Sequence, residues 1–289
     1  MSLSRKWRLR ALVIDFHVHI GALRRARDYE YYDLTARQLI DRMDREGIER
    51  SVLLPLESPE AVAGCCLTEQ AIAARDMYPE RLIAFLGLDP RSKHMARLFD
   101  MFVQDYDCKG FGELKNGLAF DDERNQAIYA KCDQYSLPLV FHNQVDVCYD
   151  QAGLPALEQM LRKYPNVTFC GHGPGFWAAI SADDDRTVHM PTGPVVPGGT
   201  LDRLMDQYHN LYGIFDAGSG YNAMTRDPDF IIGFIERHHT RLLFGTDYMQ
   251  AGQKLSQVDW LANLDIPTQW RDDMATGNAQ RLLQLTPDQ

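Results

Sequence analysis

Residues 12–21 read LVIDFHVHIG, an apolar run that three polar side chains interrupt. Side chains two apart share a face of a strand. Read as a strand, the run puts Asp15, His17 and His19 on one face and Ile14, Phe16 and Val18 on the other. In a barrel the apolar set is expected to meet the outer helices and the polar set to point inward, toward the C-terminal mouth. Polar groups inside a barrel are costly unless they are paired or ligate something. Two imidazoles about 7 Å apart along a strand can converge on one ion.

Working outward, seven more apolar runs follow, at 51–56, 82–88, 108–114, 137–143, 166–172, 210–217 and 241–247. Segments of helical period lie between them. The first is TARQLIDRMDREGI, with Leu39, Ile40, Met43 and Ile48 on one stripe and Thr35 as N-cap. Others span 71–77, 94–104, 124–135, 155–164 and 229–239, and helical material closes the chain to Leu285. The runs recur about every 30 residues, the length of one strand plus one crossover helix. Eight such beats predict an α/β fold, a (β/α)8 TIM barrel, for which about 250 residues is typical. An open doubly wound sheet shares the beat, but His19-Ile20-Gly21-Ala22 lacks the Gly-rich phosphate turn that marks it. With no linker or low-complexity stretch, one domain over residues 1–289 is expected. A single interval breaks the beat. The Gly/Pro-rich stretch 173–204 predicts a long loop after the sixth strand, on the active-site face, where it would serve as a lid or pocket wall.

Ligand-type side chains end four of the later runs: Glu113, His142, His172 and Asp247. Each taken singly reads as an ordinary polar loop start. Together with His17 and His19 they read as one site, because barrel enzymes collect catalytic groups from several strand ends. Imidazole and carboxylate without thiolate suit Zn2+, Mn2+ or Fe2+. The chain should also build its core without metal staples, so a metal here would serve chemistry.

The pieces DFHVHIG (15–21), GFGEL (110–114), LVFHN (139–143), FCGHGPG (169–175), LLFGTDY (242–248) and GNAQRLLQL (277–285) resemble the metal-dependent amidohydrolase superfamily, in its amidohydrolase-related branch. The resemblance spans nearly the whole chain and implies a distorted (β/α)8 barrel with a mono- or dinuclear metal centre. It implies that His17 and His19 bind the more buried ion and that His142 and His172 bind a second. In one-metal members, His142 ligates the single ion and His172 contacts substrate or water. It implies that Asp247 ligates the metal and takes a proton from the attacking water, which makes Asp247 and His172 the catalytic residues. GFGEL resembles the Glu-bearing version in TatD-like nucleases, so Glu113 is the expected bridge, with a carboxylated Lys115 as the alternative. Asp15 would hold an imidazole from behind or ligate, as Glu does there in some decarboxylases.

The expected cofactor is thus one or two divalent ions, Zn2+ first and Mn2+ as the alternative. The expected activity is hydrolysis of a small ester, lactone or amide that carries a carboxylate. Non-oxidative decarboxylation and TatD-like phosphoester hydrolysis are the competing activities, and a barrel acting only as a binding module is the non-catalytic one. Arg226, after the seventh run, could hold a substrate carboxylate; the alternative is a solvated Arg paired with Asp227 or Asp229. Ser219 and Tyr221 are further candidates. Phe176 and Trp177 would line the pocket or anchor the lid, His189 would be a surface residue of the lid, and Asp183–Asp185 a solvated turn.

Composition supports this class of reading. Hydrophobic residues are 45% and charged residues 24% of the 289, which excludes a disordered chain and a collagen. The net charge of −10 counts against a long nucleic-acid partner. Partners are expected to be small molecules, with homo-oligomerisation left open. The basic start at Arg5, Lys6 and Arg8, beside Trp7, precedes an apolar run that Asp15 cuts short. No secretory h-region or 18-residue apolar span follows, so a cytoplasmic chain outside the membrane is expected. The six cysteines, at 65, 66, 108, 132, 148 and 170, lack metal-site spacing and are expected to be buried thiols.

Overall fold

The computed structural model of the chain describes residues 13–24, 31–60 and 66–285. Leu12, the basic start with Trp7, and Cys65 lie outside the described residues. The strands are β1 (Val13–Val18), β2 (Gly21–Arg24), β3 (Tyr31–Leu34), β4 (Ile48–Leu53), β5 (Leu82–Ala84), β6 (Phe111–Leu114), β7 (Pro138–His142), β8 (Thr168–His172), β9 (Leu211–Phe215) and β10 (Leu242–Phe244). All but β2 and β3 run parallel, in the orders β1-β4-β5 and β6-β7-β8-β9-β10. Backbone contacts join the two sheets at both seams. Leu86 N–H donates to Gly110 O at 2.9 Å, and His19 N–H to Tyr248 O at 2.9 Å. The eight parallel strands therefore form the ring of a TIM barrel. The antiparallel hairpin of β2 and β3, which leaves the C-terminal end of β1, is an addition that the periodicity did not announce.

The helices are α1 (Ala36–Glu46), α2 (Thr68–Met77), α3 (Met95–Gln104), α4 (Glu123–Tyr135), α5 (Pro155–Lys163), α6 (Pro174–Ala178), α7 (Thr200–Gln207), α8 (Ala217–Thr225), α9 (Pro228–His238), α10 (Ser256–Asn263), α11 (Thr268–Asp272) and α12 (Asn278–Leu283). Their ends follow local chemistry. Thr35 and Gln38 form a reciprocal capping box on α1, and Gly47 ends that helix in the left-handed region at φ 74°. Asp227 caps α9 by accepting from Phe230 N–H at 3.1 Å, ahead of Pro228 in the first turn. No described helix is long and apolar enough to cross a membrane.

Two apolar layers hold the ring. Ile14, Phe16, Val52, Ile83, Val140, Cys170, Ile214 and Leu243 fill its interior, with Ala279 and Leu283 of α12 packed against them. Each buried Val, Leu, Ile or Phe among them contributes about 1.5–3 kcal/mol by leaving water. Val13, Val18, Leu53, Phe141, Phe169 and Phe215 pack in the other layer, with Leu39, Met43, Phe99 and Met160 of the helices.

This layering corrects the expected faces of β1. Ile14 and Phe16 pack in the interior layer, not against the helices, while Val13 and Val18 pack with the helices. The reason is a β-bulge. Asp15 pairs with Ser51 and Val18 with Leu53, so β1 spends one residue more than β4 over the same stretch. The extra residue reverses the parity, so that His17 and His19 reach the mouth above an apolar interior. Asp15 is left on the other side. It accepts from Arg42 Nη1 at 3.0 Å and from the Thr246 N–H at 3.0 Å. It neither holds an imidazole nor joins the ligand cluster; its link to His17 is the backbone N–H at 3.3 Å.

The long interval after β8 is present. Between α6 and α7 it is pinned to neighbouring elements by Val195 N–H to Asp227 Oδ2 at 2.9 Å and Asn222 Nδ2 to Pro191 O at 3.1 Å. Phe176 and Trp177 are buried beneath it, with the Trp177 indole donating to Ile214 O at 2.9 Å. His189 is exposed, and Asp184 and Asp185 accept from backbone N–H groups two residues on. Cys66, Cys108, Cys132, Cys148 and Cys170 are buried thiols.

Candidate metal centre

The bulge in β1 sends two rings into the mouth with their Nε2 atoms 3.0 Å apart. Their other nitrogens fix the tautomers. His19 Nδ1 lies 2.7 Å from Leu54 O, and a carbonyl only accepts, so Nδ1 carries the proton. His17 Nδ1–H donates to Asp216 Oδ2 at 2.5 Å. In the neutral rings, both Nε2 lone pairs then face one another.

Two carboxylates complete the cluster. Asp247, just past β10, places Oδ1 3.6 Å from His17 Nε2 and 3.3 Å from His19 Nε2. Glu113 of β6 places Oε2 3.7 and 3.4 Å from the same nitrogens. Among the described residues, neither oxygen has a hydrogen-bond partner, although both are buried. Unpaired buried anionic oxygens are expensive. Ligands about 2.0–2.2 Å from a tetrahedral cation stand roughly 3.3–3.6 Å from one another. The observed separations of 3.0–3.7 Å bracket that spacing. The donor set fits a divalent cation.

The backbone is shaped for this arrangement. Asp247 sits at φ 50°, a left-handed conformation unusual for a non-glycine, and its N–H donates to His17 O at 2.9 Å. Gly112 sits at φ 140°, where a Cβ would lie 2.6 Å from Val140 O, so only glycine lets β6 approach β7 and deliver Glu113.

The far side of Glu113 is different. Its Oε1 accepts from His172 Nε2 at 2.8 Å and His142 Nδ1 at 3.1 Å, and Lys115 Nζ lies 3.6 Å away. Burial opposes charge on Glu113, but Lys115 and His172 hold its pKa well below the usual carboxylate range. Burial likewise opposes charge on His172, whose Nδ1 is 3.4 Å from Asp216 Oδ1; Asp216 and Glu113 raise its pKa. In His142, burial and the neighbouring ammonium of Lys115 lower it. Asp247 is buried against its charge, yet His17 and His19 keep it ionised far below its ordinary pKa.

The six expected ligands thus converge in two groups that share Glu113. His17, His19 and Asp247 form the first, and His142 and His172 reach it through Glu113 Oε1. Arg226 is elsewhere. It closes α8, donates from Nη1 to Gly193 O at 3.3 Å, and feels Asp183 and Asp227. Tyr221 instead lines a cavity of about 240 Å³ that opens beside Asp247, with Thr246, Met249, Gln253, Lys254 and Gln257. Asp216 is the residue that sequence reading missed. It is fully buried and contacts both His17 and His172. Its signal was present, since it ends the seventh run as Asp247 ends the eighth.

The fold is similar to that of an uncharacterised TIM-barrel protein of Bordetella bronchiseptica, with a TM-score of 0.67 and 17% identity over 94% of this chain and 98% of that one. It is similar to a dihydroxybenzoic acid decarboxylase of Polaromonas sp. JS666, solved with manganese and 2-nitroresorcinol, with a TM-score of 0.60 and 17% identity over 96% and 98% of the two chains. An amidohydrolase of Burkholderia multivorans gives 0.61 and 16% over 96% and 100%. At these identities the likeness shows the fold. No match was found among curated proteins. The family model described as amidohydrolase matches residues 14–285, a span that contains every residue of the cluster, and that family is metal-dependent. The chain belongs to the amidohydrolase family and is an enzyme of that superfamily.

Proposed function

We propose that the protein is a metal-dependent hydrolase of a small ester, lactone or amide that carries a carboxylate. The observation that carries this reading is the pair of unpaired buried oxygens, Glu113 Oε2 and Asp247 Oδ1, facing two imidazole Nε2 atoms. His17, His19, Asp247 and Glu113 would hold one divalent cation, Zn2+ first and Mn2+ as the alternative. When bound, such an ion polarises a substrate carbonyl and lowers the pKa of water toward about 7.

The chain's own groups do the rest. Asp247 stands between the cluster and the cavity, 14% exposed at its side chain, and its ionised carboxylate takes the proton of the attacking water and returns it to the leaving group. Asp216 holds His17 through Nδ1, so that Nε2 stays aimed into the cluster. His172 and His142 fix the Glu113 carboxylate from its Oε1 side. The polar wall of Tyr221, Gln253, Gln257 and Lys254 suits an oxygen-rich anionic substrate of modest size.

The second reading is non-oxidative decarboxylation of an aromatic acid. It draws on the similar fold of the dihydroxybenzoic acid decarboxylase and on the single-ion spacing of the first ligand group. One experiment separates the two. The metal-loaded enzyme is screened on ester, lactone and amide panels and, in parallel, for CO2 release from aromatic acids. Hydrolysis that disappears on chelation and returns with Zn2+ or Mn2+ is expected. Turnover that survives complete metal removal sinks both readings, and CO2 release without hydrolysis replaces the first with the second.

A further inference from the structure

We propose that the Lys115 side chain stands in for a second metal ion, so that the site holds one divalent cation beside a built-in ammonium. This rests on the proposed single-ion site at His17, His19, Asp247 and Glu113 Oε2. The argument begins with the unequal oxygens of Glu113. Oε2 is unpaired and faces the ligand nitrogens of β1. Oε1 is surrounded by positive or hydrogen-bearing groups: His172 Nε2 at 2.8 Å, His142 Nδ1 at 3.1 Å and Lys115 Nζ at 3.6 Å. A carboxylate that bridges two cations needs a cation at each oxygen. Here the Oε1 side already has its positive charge.

The placement of Lys115 fits that task. It lies just past β6, two residues beyond Glu113, on the side where both imidazoles approach Oε1. Its side chain is 17% exposed, and among the described residues its Nζ makes no hydrogen bond, only the ion pair with Glu113. An unbridged ammonium a few ångströms from a divalent cation's position repels it strongly in a low-dielectric site. The ligand-atom trios of the cluster converge on one imidazole rather than on two separate centres. Sets of three ligand atoms lying within 4.8 Å of one another are found for His17, His19 and Asp247 and for His17, Glu113 and His172. Both sets include His17, from the first group. His142, His172 and Glu113 without His17 form no such set among the described residues.

The test counts ions. Apoprotein is titrated with Mn2+, and bound metal is followed by elemental analysis and by electron paramagnetic resonance. Wild type should saturate at one Mn2+ per chain with an uncoupled six-line signal, even at millimolar metal. Lys115→Met should bind a second Mn2+ and show the broadened signal of an exchange-coupled pair, and adding Glu113→Gln should abolish it. Lys115→Arg, which keeps the charge, should stay at one. Two ions in wild type overturn the inference and leave the metal reading intact. One ion in both wild type and a folded Lys115→Met overturns it in the same way. No ion in wild type overturns both. Should Lys115→Met fail to fold, Lys115→Gln takes its place, and the wild-type titration alone still decides against the inference if it reaches two.

Discussion

Asp216 touches two imidazoles that come from distant parts of the chain, His17 Nδ1 at 2.5 Å and His172 Nδ1 at 3.4 Å. The first contact sets which nitrogen of His17 is left to ligate. Replacing one carboxylate oxygen by an amide removes the charged acceptor and lets the ring turn or change tautomer. Asp216→Asn is expected to weaken divalent-cation affinity by about 10–100-fold, the usual cost of losing a carboxylate behind a ligating imidazole. A competition titration against a chelating dye measures this; affinity unchanged within twofold would falsify the assignment. The residue was legible by the same rule that found Asp247, a carboxylate at the end of an apolar run. The expectations after the seventh run are confined to Ser219, Tyr221 and Arg226, whereas α8 begins immediately after Asp216. Arg226, at the C-terminal end of that helix, donates to the loop at Gly193.

At the scale of elements, helix boundaries were readable where side chains name them. Thr35, Asp227 and Pro228 mark starts, and Gly47 marks an end. The faces of β1 were not readable, because a period of two assumes one residue per step and a bulge inserts another. The expected inward parity and the bulged one agree at His17 and His19, so both rings face the mouth in either reading. A second element-level feature is electrostatic. Glu57, beyond β4, accepts from Thr68 N–H at 3.3 Å and Thr68 Oγ1 at 3.1 Å, joining that strand's exit to the start of α2. Burial outweighs those bonds and pushes its pKa up to about 7 from 4.5. Between those values the folded chain keeps a proton that the unfolded chain has released. Stability therefore falls as pH rises through that window and stays lower above it. The cost above pH 7 is of the order of 3 kcal/mol. Glu57→Gln keeps an acceptor for Thr68 and removes the charge, so it should stabilise the protein at pH 8 and change little at pH 4. Denaturant midpoints at the two pH values check this, and an equal gain at both would show that the buried charge is not the cause.

For the whole molecule, the ligand cluster ties together strands that meet only through the ring. His17 comes from β1 and His19 from just past it, Asp247 from just past β10 across their shared seam, and Glu113 from β6 at the other seam. The eight-beat pattern made that ring legible, because strand-plus-helix spacing is set by local chain geometry. The seams themselves were not, since they rest on single backbone pairings such as Val18 with Tyr248. Part of the net charge of −10 also takes on a place: Glu113 and Asp216, both buried, and Asp247, partly buried, share one cluster. Without a cation, three of their oxygens, one on each residue, have no hydrogen-bond partner there. A cation that binds the folded chain alone stabilises it by about 2.7 kcal/mol at one hundred times its dissociation constant. At about 2–4 °C per kcal/mol for chains near this size, stripping the metal should lower the melting temperature by about 5–10 °C. The shift should return on adding Zn2+ or Mn2+ and should be absent in His17→Ala, which removes a ligand at the centre of the cluster. Calorimetry with and without chelator measures it. A wild-type melting temperature indifferent to the chelator would mean that the three carboxylates are balanced by protein groups alone, and that no cation completes the barrel mouth.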